Sequence, residues 1–257
     1  MAVLRCDFFS EALEVGTSMT VLLPQPAEAQ IGVATPADTG PPPVLYLLHG
    51  LSDDSTAWLR NTSIDRYAAE HGVAVVMPQV GRSFYADEVH GHRYWTFLSE
   101  ELPRVVGRFF RVSERREDTF VAGLSMGGYG AFKWALRDPS RFAAAACLSG
   151  AVDLGTLSRE PERRELFQRV YGDAGPGPDD ELLALLDTVE VGDLPRLYVG
   201  CGTDDPLLPG TEKMLAALRG RNVDVREDLR PGAHEWSVWD AAIQDVLDWL
   251  PLRGRSR

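Results

Sequence analysis

A serine in a sharp-turn motif is the residue of this sequence best placed to act as a nucleophile. Ser125 lies at the centre of Gly-Leu-Ser-Met-Gly, residues 123–127. A short apolar run over residues 118–122 precedes the motif, and apolar residues at helical spacing follow it as far as Arg137. The pattern predicts a strand, a strained turn and a helix, which together expose the serine hydroxyl at the start of the helix.

A serine hydroxyl needs a base to accept its proton and a carboxylate to orient that base. His234 is the only histidine that follows Ser125, so it is the candidate base. Asp204 and Asp205 are the candidate acids, because they follow a predicted strand in a loop, where open α/β sheets carry functional groups. Pro206 favours Asp205 modestly, because it holds the backbone of the preceding residue extended. The alternative role for either aspartate is a turn residue whose side chain bonds nearby backbone N–H groups. Both aspartates remain candidates on these grounds.

The rest of the pattern alternates strands with helices, which is typical of a mostly parallel sheet flanked by helices. We expect a single α/β domain over residues 1–257, opening with an antiparallel pair of strands, and Pro103 should kink or split the second helix. The predicted strands cover residues 2–9, 17–23, 44–48, 73–77, 118–122, 142–148, 196–201 and 223–229, and the predicted helices cover 62–71, 94–111, 126–137, 210–220 and 236–250.

Two segments fall outside this alternation. A proline-rich stretch over residues 35–43 predicts a loop, and residues 152–190 predict charged short helices around a glycine- and proline-rich turn. Insertions at the carboxyl ends of sheet strands often cover the site below them. We therefore expect residues 152–190 to form a cap or lid over Ser125.

Seven short blocks spread over nearly the whole chain carry a further signal. They are residues 44–50, 58–62, 75–78, 101–103, 122–130, 201–205 and 232–236. These blocks resemble the putative-esterase family of α/β-hydrolases, especially its tributyrin esterase-like carboxylesterases, which are relatives of S-formylglutathione hydrolase. The resemblance implies an α/β-hydrolase fold with an eight-stranded, mostly parallel sheet. It also implies a serine carboxylesterase that hydrolyses short-chain acyl esters of small molecules through an acyl-enzyme.

The same resemblance assigns roles to individual residues. In the family the acid is the fourth residue of a Gly-x-x-Asp turn, which is Asp205 in this sequence. The oxyanion hole would be formed by the backbone N–H groups of Leu51 and Met126, aimed at the charge that develops on the carbonyl oxygen. His49 is expected to be structural. At residues 52–55 the chain departs from the family with two aspartates, which either disfavour anionic acyl groups or are simply solvated.

The acyl-binding residues are less clearly marked. The candidates are aromatic residues near the predicted catalytic loops, and ordinary packing is the alternative for about half of them. The candidates for substrate binding are Trp58, Tyr85 and Trp95, with Phe84 and Tyr94 beside them and Phe167 and Tyr171 from the insertion.

Three alternatives to the carboxylesterase stay open. A thioesterase of the S-formylglutathione hydrolase type would use the same machinery, and an acyltransferase would pass the acyl group to an alcohol. A catalytically inactive hydrolase fold that serves as a binding module belongs to a different class, and the intact serine, aspartate and histidine argue against it.

Composition limits the partners. The formal net charge of −12 and the isoelectric point near 4.9 argue against binding nucleic acid or an anionic membrane surface. His90 and His92 lack the spacing of metal ligands, so we expect no metal and no cofactor. The cysteines lie in predicted strands and no N-terminal apolar segment is long enough for a signal peptide, so the prediction is a cytoplasmic protein. Self-association is common in the resembling family, which makes a homo-oligomer an alternative to a monomer.

Overall fold

The computed structural model describes residues 1–26 and 40–252, so residues 35–39 of the predicted proline-rich loop lie outside the described residues. The strands are β1 (Ala2–Ser10), β2 (Val15–Leu23), β3 (Val44–Leu48), β4 (Ala74–Pro78), β5 (Thr119–Leu124), β6 (Ala144–Leu148), β7 (Arg196–Gly202) and β8 (Val225–Arg230). The α-helices are α1 (Ala57–Asn61), α2 (Ile64–His71), α3 (Tyr94–Thr96), α4 (Leu102–Phe109), α5 (Met126–Arg137), α6 (Leu154–Leu157), α7 (Arg164–Tyr171), α8 (Leu182–Thr188), α9 (Leu208–Gly220) and α10 (Trp236–Trp249). A π-helical turn spans Phe97–Glu101, and short 3₁₀ turns span Arg116–Asp118, Pro161–Arg163 and Val191–Asp193.

The eight strands form one sheet in the order β1-β2-β4-β3-β5-β6-β7-β8. The pairs β1–β2 and β2–β4 are antiparallel, and all the other neighbouring pairs are parallel. The predicted mostly parallel sheet with its opening antiparallel pair is therefore confirmed. The carboxyl ends of β3, β5, β6 and β7 meet at one edge, which is the edge where functional groups of such sheets lie.

Helices cover both faces of the sheet, and this explains why every residue of β3 through β6 is buried. The two faces alternate along each strand. In β3, Tyr46 and Leu48 pack toward α5, while Leu45 and Leu47 pack toward the face that α2 and α10 cover. Two apolar cores, one on each face, hold the central strands in place.

The segment around Pro103 differs from a simple kink. The chain forms α3, then the π-helical turn, then α4, with Pro103 in the first turn of α4. Proline has no N–H to bond the preceding turn, so the wider turn falls where a regular ladder would be broken. Glu101, in this turn, accepts hydrogen bonds from the Ser10 hydroxyl at 2.5 Å and from the Glu11 N–H at 2.8 Å. The turn therefore fixes the β1–β2 connection.

The 152–190 insertion packs on the same face of the sheet as α5. Lys133 of α5 is 1% exposed and donates to the Asp180 carboxylate of the insertion at 2.7 Å. Tyr129 of α5 donates to the Asp180 carbonyl at 2.9 Å. Phe84 and Phe167 bring a core loop and α7 together, with ring centroids 5.1 Å apart. Buried polar and aromatic contacts therefore join the insertion to the helix that follows Ser125.

Candidate active site

Ser125 occupies a strained turn between β5 and α5. Its backbone has φ 54° and ψ −119°, in a region that residues with a side chain rarely adopt. Its N–H donates to the Leu148 carbonyl at 2.8 Å, and its own carbonyl accepts from the Ala151 N–H at 3.1 Å. These bonds tie the turn to the end of β6 and hold the hydroxyl above the sheet edge.

Glycines on both sides of the serine allow a close approach of strand and helix. A Cβ on Gly127 would lie 2.4 Å from the Leu48 carbonyl oxygen, and one on Gly123 would lie 2.3 Å from the Gly127 carbonyl oxygen. Both distances are far inside van der Waals contact and involve backbone, which cannot swing away as a flexible side chain could. The motif therefore needs glycine at both positions for α5 to begin directly above β3 and β5.

The structure brings Ser125, His234 and Asp205 into one hydrogen-bonded chain. His234 Nε2 lies 3.0 Å from Ser125 Oγ, and His234 Nδ1 lies 2.8 Å from Asp205 Oδ2. The three residues come from the β5–α5 turn, the loop after β8 and the loop after β7. A carboxylate on Nδ1 fixes the tautomer that leaves Nε2 free to accept a proton, so this geometry is able to activate a serine hydroxyl.

The environment of Asp205 keeps it ionised. Burial alone would raise the pKa of this carboxyl, but hydrogen bonds from His234, from the Leu207 N–H and from Ser149 outweigh burial and lower the pKa. The bond from the Leu207 N–H is 2.8 Å long. Asp204 is exposed, and its N–H donates to the Gly232 carbonyl at 2.9 Å. The sequence motifs left both Asp204 and Asp205 as candidate acids, and of these two only Asp205 contacts the imidazole of His234.

Two further residues support the hydrogen-bonded chain, and no sequence motif singled them out. Ser149 is fully buried, has φ 46° and bonds to the Asp205 carboxylate. The Trp239 indole donates to the Ser149 hydroxyl at 3.1 Å, and its ring packs edge-on to His234 with centroids 4.8 Å apart. Ser149 therefore bonds the acid, while Trp239 bonds Ser149 and packs against the base. In the sequence Ser149 directly follows a predicted strand and Trp239 lies in the first turn of a predicted helix, and these positions do not distinguish the two from core residues.

Leu51 and Met126 carry the two backbone N–H groups that the resemblance assigns to an oxyanion hole. Leu51 and Met126 line a pocket together with Ser125 and His234. Within the described part of the chain, neither N–H has a hydrogen-bond acceptor. The N–H of Met126 is the first of α5, where helices leave donors unpaired. Unpaired donors beside a nucleophile are able to bind an anionic oxygen.

The pocket has a volume of about 290 Å³ and a largely apolar wall. The 152–190 insertion supplies one side of it and the start of α9 supplies another. Two ion pairs lie at its rim, Asp153 with Lys213 and Glu160 with Arg163. The apolar lining residues are Leu51, Phe84, Met126, Ala151, Val152, Leu157, Pro206, Leu207 and Pro209.

The three aromatic residues expected to bind substrate do not line this pocket. Trp58 is 1% exposed and donates to the Leu48 carbonyl at 3.1 Å. Tyr85 is fully buried and donates to the His49 carbonyl at 2.9 Å. Trp95 packs against Arg137, whose guanidinium lies 4.4 Å from the ring centroid. Phe84 alone among the core-loop aromatics lines the pocket.

The acidic turn at residues 52–55 has a structural explanation. Asp54 accepts from the Thr56 N–H at 2.7 Å and pairs with Arg60 at 3.0 Å, so it stabilises the start of α1. Burial opposes its charge, but the bonds from Thr56 and Arg60 prevail and lower its pKa to about 2. Neither Asp53 nor Asp54 lines the pocket.

Comparison with known proteins identifies the family. A model of the family described as "Putative esterase" matches residues 10–250 of the chain. The chain belongs to this family. It is an esterase and a serine hydrolase, with an α/β-hydrolase fold that it shares with its structural neighbours.

Three relatives illustrate the similarity of this esterase. An acetyl esterase of Caldicellulosiruptor saccharolyticus is 29% identical over 262 residues, covering 97% of this chain and 98% of that protein. The fluorophosphonate-binding serine hydrolase F (FphF) of Staphylococcus aureus is 33% identical with a TM-score of 0.88, covering 97% of this chain and 98% of the other. The S-formylglutathione hydrolase FrmB of the same organism is 32% identical with a TM-score of 0.82, with coverage of 97% and 98%.

An esterase of this family acts on a small-molecule ester. Across residues 1–26 and 40–252, none of the helices has the length and apolar character needed to span a bilayer.

Proposed function

We propose that this esterase is a carboxylesterase that hydrolyses short-chain acyl esters through an acyl-enzyme on Ser125. The observation that carries the proposal is the chain of hydrogen bonds from Asp205 through His234 to Ser125, at 2.8 and 3.0 Å. In this mechanism His234 accepts the serine proton as Ser125 attacks the ester carbonyl. Asp205 holds the imidazole in the required tautomer and stabilises its charged form.

The remaining steps use the same groups. The N–H groups of Leu51 and Met126 donate to the oxyanion of each tetrahedral intermediate, and each such donor contributes about 3 kcal/mol to catalysis. His234 gives its proton to the departing alcohol. His234 then takes a proton from water, which attacks the acyl-enzyme, and returns that proton to Ser125 Oγ as the bond to the acyl group breaks and the acid is released.

The preference for short acyl groups is argued from the pocket and from one relative. A volume of about 290 Å³ is at the small end of the range of ligand sites. The apolar wall suits an alkyl chain, and the related acetyl esterase carries a short acyl group in its name. Rates with p-nitrophenyl acetate, butyrate, octanoate and laurate test this preference, with Ser125→Ala as the blank. We expect kcat/KM to be highest for acetate or butyrate, and a maximum at laurate would contradict the short-chain proposal.

A thioesterase of the S-formylglutathione hydrolase type is the second candidate. Similarity to the FrmB hydrolase favours it, since the identity of 32% extends over 97% of this chain. The catalytic groups would be the same, so only substrate preference separates the two. We expect kcat/KM for p-nitrophenyl acetate to exceed that for S-formylglutathione, and a strong preference for the thioester would reverse the choice. An added alcohol that receives the acyl group faster than water would instead indicate an acyltransferase.

The 152–190 insertion serves as a lid in this proposal. The two lysines of the sequence, Lys133 and Lys213, both pair with aspartates of the insertion, at Asp180 and Asp153. The first pair is buried, and the second lies exposed at the pocket rim. The rim pair is therefore the contact that would release when the pocket opens.

Amide hydrogen exchange tests the lid. We expect Lys213→Met to increase exchange over residues 153–163, because it removes the rim pair without touching the buried one. Arg219→Met is the matched control, since Arg219 lies on the same helix and pairs with Glu227 outside the pocket. Equal exchange over residues 153–163 in the two variants would remove the lid from the proposal.

The proposal also assigns a cytoplasmic location and a homo-oligomeric state. Cys147 and Cys201 are free and buried, as expected in a reducing compartment. Fractionation of the native host with an antibody to the protein tests the location. Light scattering on the purified enzyme tests the oligomeric state.

A further inference from the structure

Phe84 and Tyr85 form a strained turn beside the active site. Their φ values are 48° and 51°, in the left-handed region that residues with a side chain rarely adopt. Both residues are almost fully buried. Two consecutive residues of this kind persist only where the surrounding contacts hold them, and such strain is typical of functional sites. The contacts of this turn therefore deserve a functional explanation.

The two rings of the turn lie in different parts of the site. The Phe84 ring lines the pocket and lies against Phe167 of α7, with centroids 5.1 Å apart. The Tyr85 hydroxyl instead donates to the His49 carbonyl at 2.9 Å. The Tyr85 ring lies so close to α5 that a Cβ on Gly130 would be 2.4 Å from ring Cδ2. Tyr85 therefore fills the space between α5 and the loop that follows β3.

Two successive carbonyls of the loop after β3 are held by hydrogen bonds. Tyr85 bonds the His49 carbonyl, and His49 Nδ1 bonds the Gly50 carbonyl at 2.7 Å. In a trans peptide the C=O of one residue and the N–H of the next point in opposite directions. The two bonds together set the two peptide planes that lead to the Leu51 N–H. That N–H is one of the two oxyanion donors of the proposed mechanism.

The carbonyl that Tyr85 bonds also lies beside the second donor segment. A Cβ on Gly127 would lie 2.7 Å from the His49 carbonyl oxygen, so this oxygen lies against the first turn of α5. Helix α5 begins at Met126, whose N–H is the other oxyanion donor of the proposed mechanism. Loss of the Tyr85 bond would therefore let the two donor segments shift relative to each other.

The Tyr85 hydroxyl stays protonated at neutral pH. Burial, with a contribution from the charge of Asp53, raises the pKa of this hydroxyl well above its usual value. A protonated hydroxyl beside a carbonyl oxygen acts as the donor. The pH dependence of catalysis consequently comes from His234 and not from Tyr85.

The insertion over residues 152–190 holds the strained turn from another side. The Lys133 ammonium is 1% exposed and donates to the Tyr85 carbonyl at 3.0 Å and to the Asp180 carboxylate at 2.7 Å. Tyr129 donates to the Asp180 carbonyl at 2.9 Å. A buried ammonium requires such partners, because an unpaired charge in the core is costly. These bonds connect the insertion, α5 and the strained turn.

We propose that Tyr85 is a positioning residue of the oxyanion hole, and that Lys133 and Asp180 couple it to the insertion. This inference rests on the proposed function, because the two oxyanion donors belong to that mechanism. Tyr85 does not line the pocket, so it acts on the reaction through the His49 carbonyl. The insertion, besides covering the pocket, thereby supports the groups that stabilise the transition state.

Tyr85→Phe tests the positioning role, because it removes the hydroxyl and keeps the ring against α5. Loss of a whole oxyanion donor lowers kcat by about 100- to 1,000-fold, and misdirection of one donor is a partial loss. We expect kcat for p-nitrophenyl acetate to fall about tenfold, with KM changed by less than about twofold. Tyr67→Phe is the matched control, since Tyr67 is buried and donates its hydroxyl to Asp240, outside the pocket. Urea unfolding checks the fold of each variant.

A transition-state analogue separates positioning from a merely structural role. With butyl trifluoromethyl ketone, Ser125 Oγ adds to the ketone carbon, the serine proton passes to His234 and the carbonyl oxygen becomes an oxyanion. We expect its inhibition constant to rise about tenfold in Tyr85→Phe, in parallel with the fall in kcat, while Tyr67→Phe keeps the native value. The acid limb of the pH profile of kcat/KM stays in place, because His234 and Asp205 are intact.

A double-mutant cycle tests the coupling to the insertion. Lys133→Met removes the ammonium from both of its acceptors and leaves a side chain of similar length. We expect it to lower kcat about fivefold, and the double variant with Tyr85→Phe to lose no more than Tyr85→Phe alone, because both changes remove one support. Losses that multiply would overturn the coupling. Asp180→Asn, which removes the charge and keeps the shape, replaces Lys133→Met if that variant does not fold.

The outcomes distinguish this inference from the proposed function. A native enzyme that does not hydrolyse p-nitrophenyl acetate, or that retains activity in Ser125→Ala, would contradict the carboxylesterase itself. In an enzyme whose activity depends on Ser125, equal kcat and equal inhibition constants for Tyr85→Phe and Tyr67→Phe would overturn only the role of Tyr85. A rise in KM with kcat unchanged would overturn that role as well, since an oxyanion hole acts on the transition state.

Discussion

The imidazole of His49 donates from Nδ1 to the carbonyl oxygen of Gly50, 2.7 Å away. The Val80 N–H donates to Nε2 at 3.2 Å, so Nε2 is an acceptor and the proton is on Nδ1. Burial lowers the pKa of His49 and keeps the ring neutral. In a trans peptide the C=O of Gly50 and the N–H of Leu51 point in opposite directions. By fixing that carbonyl, His49 fixes the direction of the Leu51 N–H.

We expect His49→Leu to lower kcat by about 100-fold with little change in KM, because a misdirected oxyanion donor weakens binding of the transition state only. The variant also leaves the buried Val80 N–H unpaired, which costs about 1–3 kcal/mol of folding stability. His49→Asn is the matched comparison, since its amide retains a donor near Nδ1. Steady-state kinetics and urea unfolding measure the two effects. A kcat unchanged in the folded His49→Leu variant would contradict the orienting role.

Ser149 provides a second test of positioning. Ser149→Gly removes the hydroxyl bonded to Asp205 but tolerates the positive φ of 46°. A hydrogen bond to a charged group contributes about 1.5–3 kcal/mol, so we expect kcat/KM to fall by about 10- to 100-fold. Trp239→Phe keeps the ring against His234 and removes only the indole donor, so its loss should be smaller. Equal activity of Ser149→Gly and the native enzyme would show that the hydroxyl has no effect on the acid.

Asp205 makes folding stability depend on acid pH. Its pKa in the folded protein is lowered, because hydrogen bonds from His234 and its neighbours outweigh the effect of burial. The stability contributed by the ionised form is therefore complete above the unfolded pKa of about 3.9, and it is lost as pH falls through the lower folded pKa. We expect the gap in unfolding free energy between native protein and Asp205→Asn to narrow between about pH 5 and pH 3. Urea titrations at each pH measure the gap. A gap that is constant over this range would contradict the lowered pKa.

Phe84 should control acyl-chain length. It lines the pocket and packs against Tyr129 and Phe167, with centroids 6.0 and 5.1 Å away. Phe84→Ala enlarges the space beside Ser125. We therefore expect the ratio of kcat/KM for p-nitrophenyl octanoate to that for the acetate to rise about tenfold, which is the energy of about one buried methylene. Trp95→Ala is the control, because Trp95 packs against Arg137 outside the pocket. A rise of equal size in both variants would mean that general loosening, and not pocket volume, sets the ratio.

The parts of the site that could be predicted from the sequence are those that depend on local chain geometry. The Gly-x-Ser-x-Gly turn can be identified because its two glycines lie within five residues of each other. Both are required where the backbone of the turn passes close to neighbouring backbone. His234 followed from being the only histidine after Ser125. Local geometry did not separate Asp204 from Asp205, since the difference lies in which carboxylate points inward.

The parts that could not be predicted depend on which way a side chain faces in the folded core. Trp58 and Tyr85 are apolar rings with one polar atom, as suited to packing as to binding, and backbone carbonyls satisfy those atoms in the core. Ser149 acts on Asp205 only because β6 and β7 are neighbours in the sheet. The π-helical turn before Pro103 likewise carries a tertiary contact that the sequence does not reveal, the bond from Ser10 to Glu101.

Mass spectrometry of the enzyme after reaction with a fluorophosphonate tests the central claim most directly. We predict one covalent adduct per chain, located at Ser125 by peptide mapping, with none in Ser125→Ala and much slower formation in folded His234→Ala. Labelling at another residue, or no labelling of the folded native chain, would contradict a nucleophilic serine activated by His234.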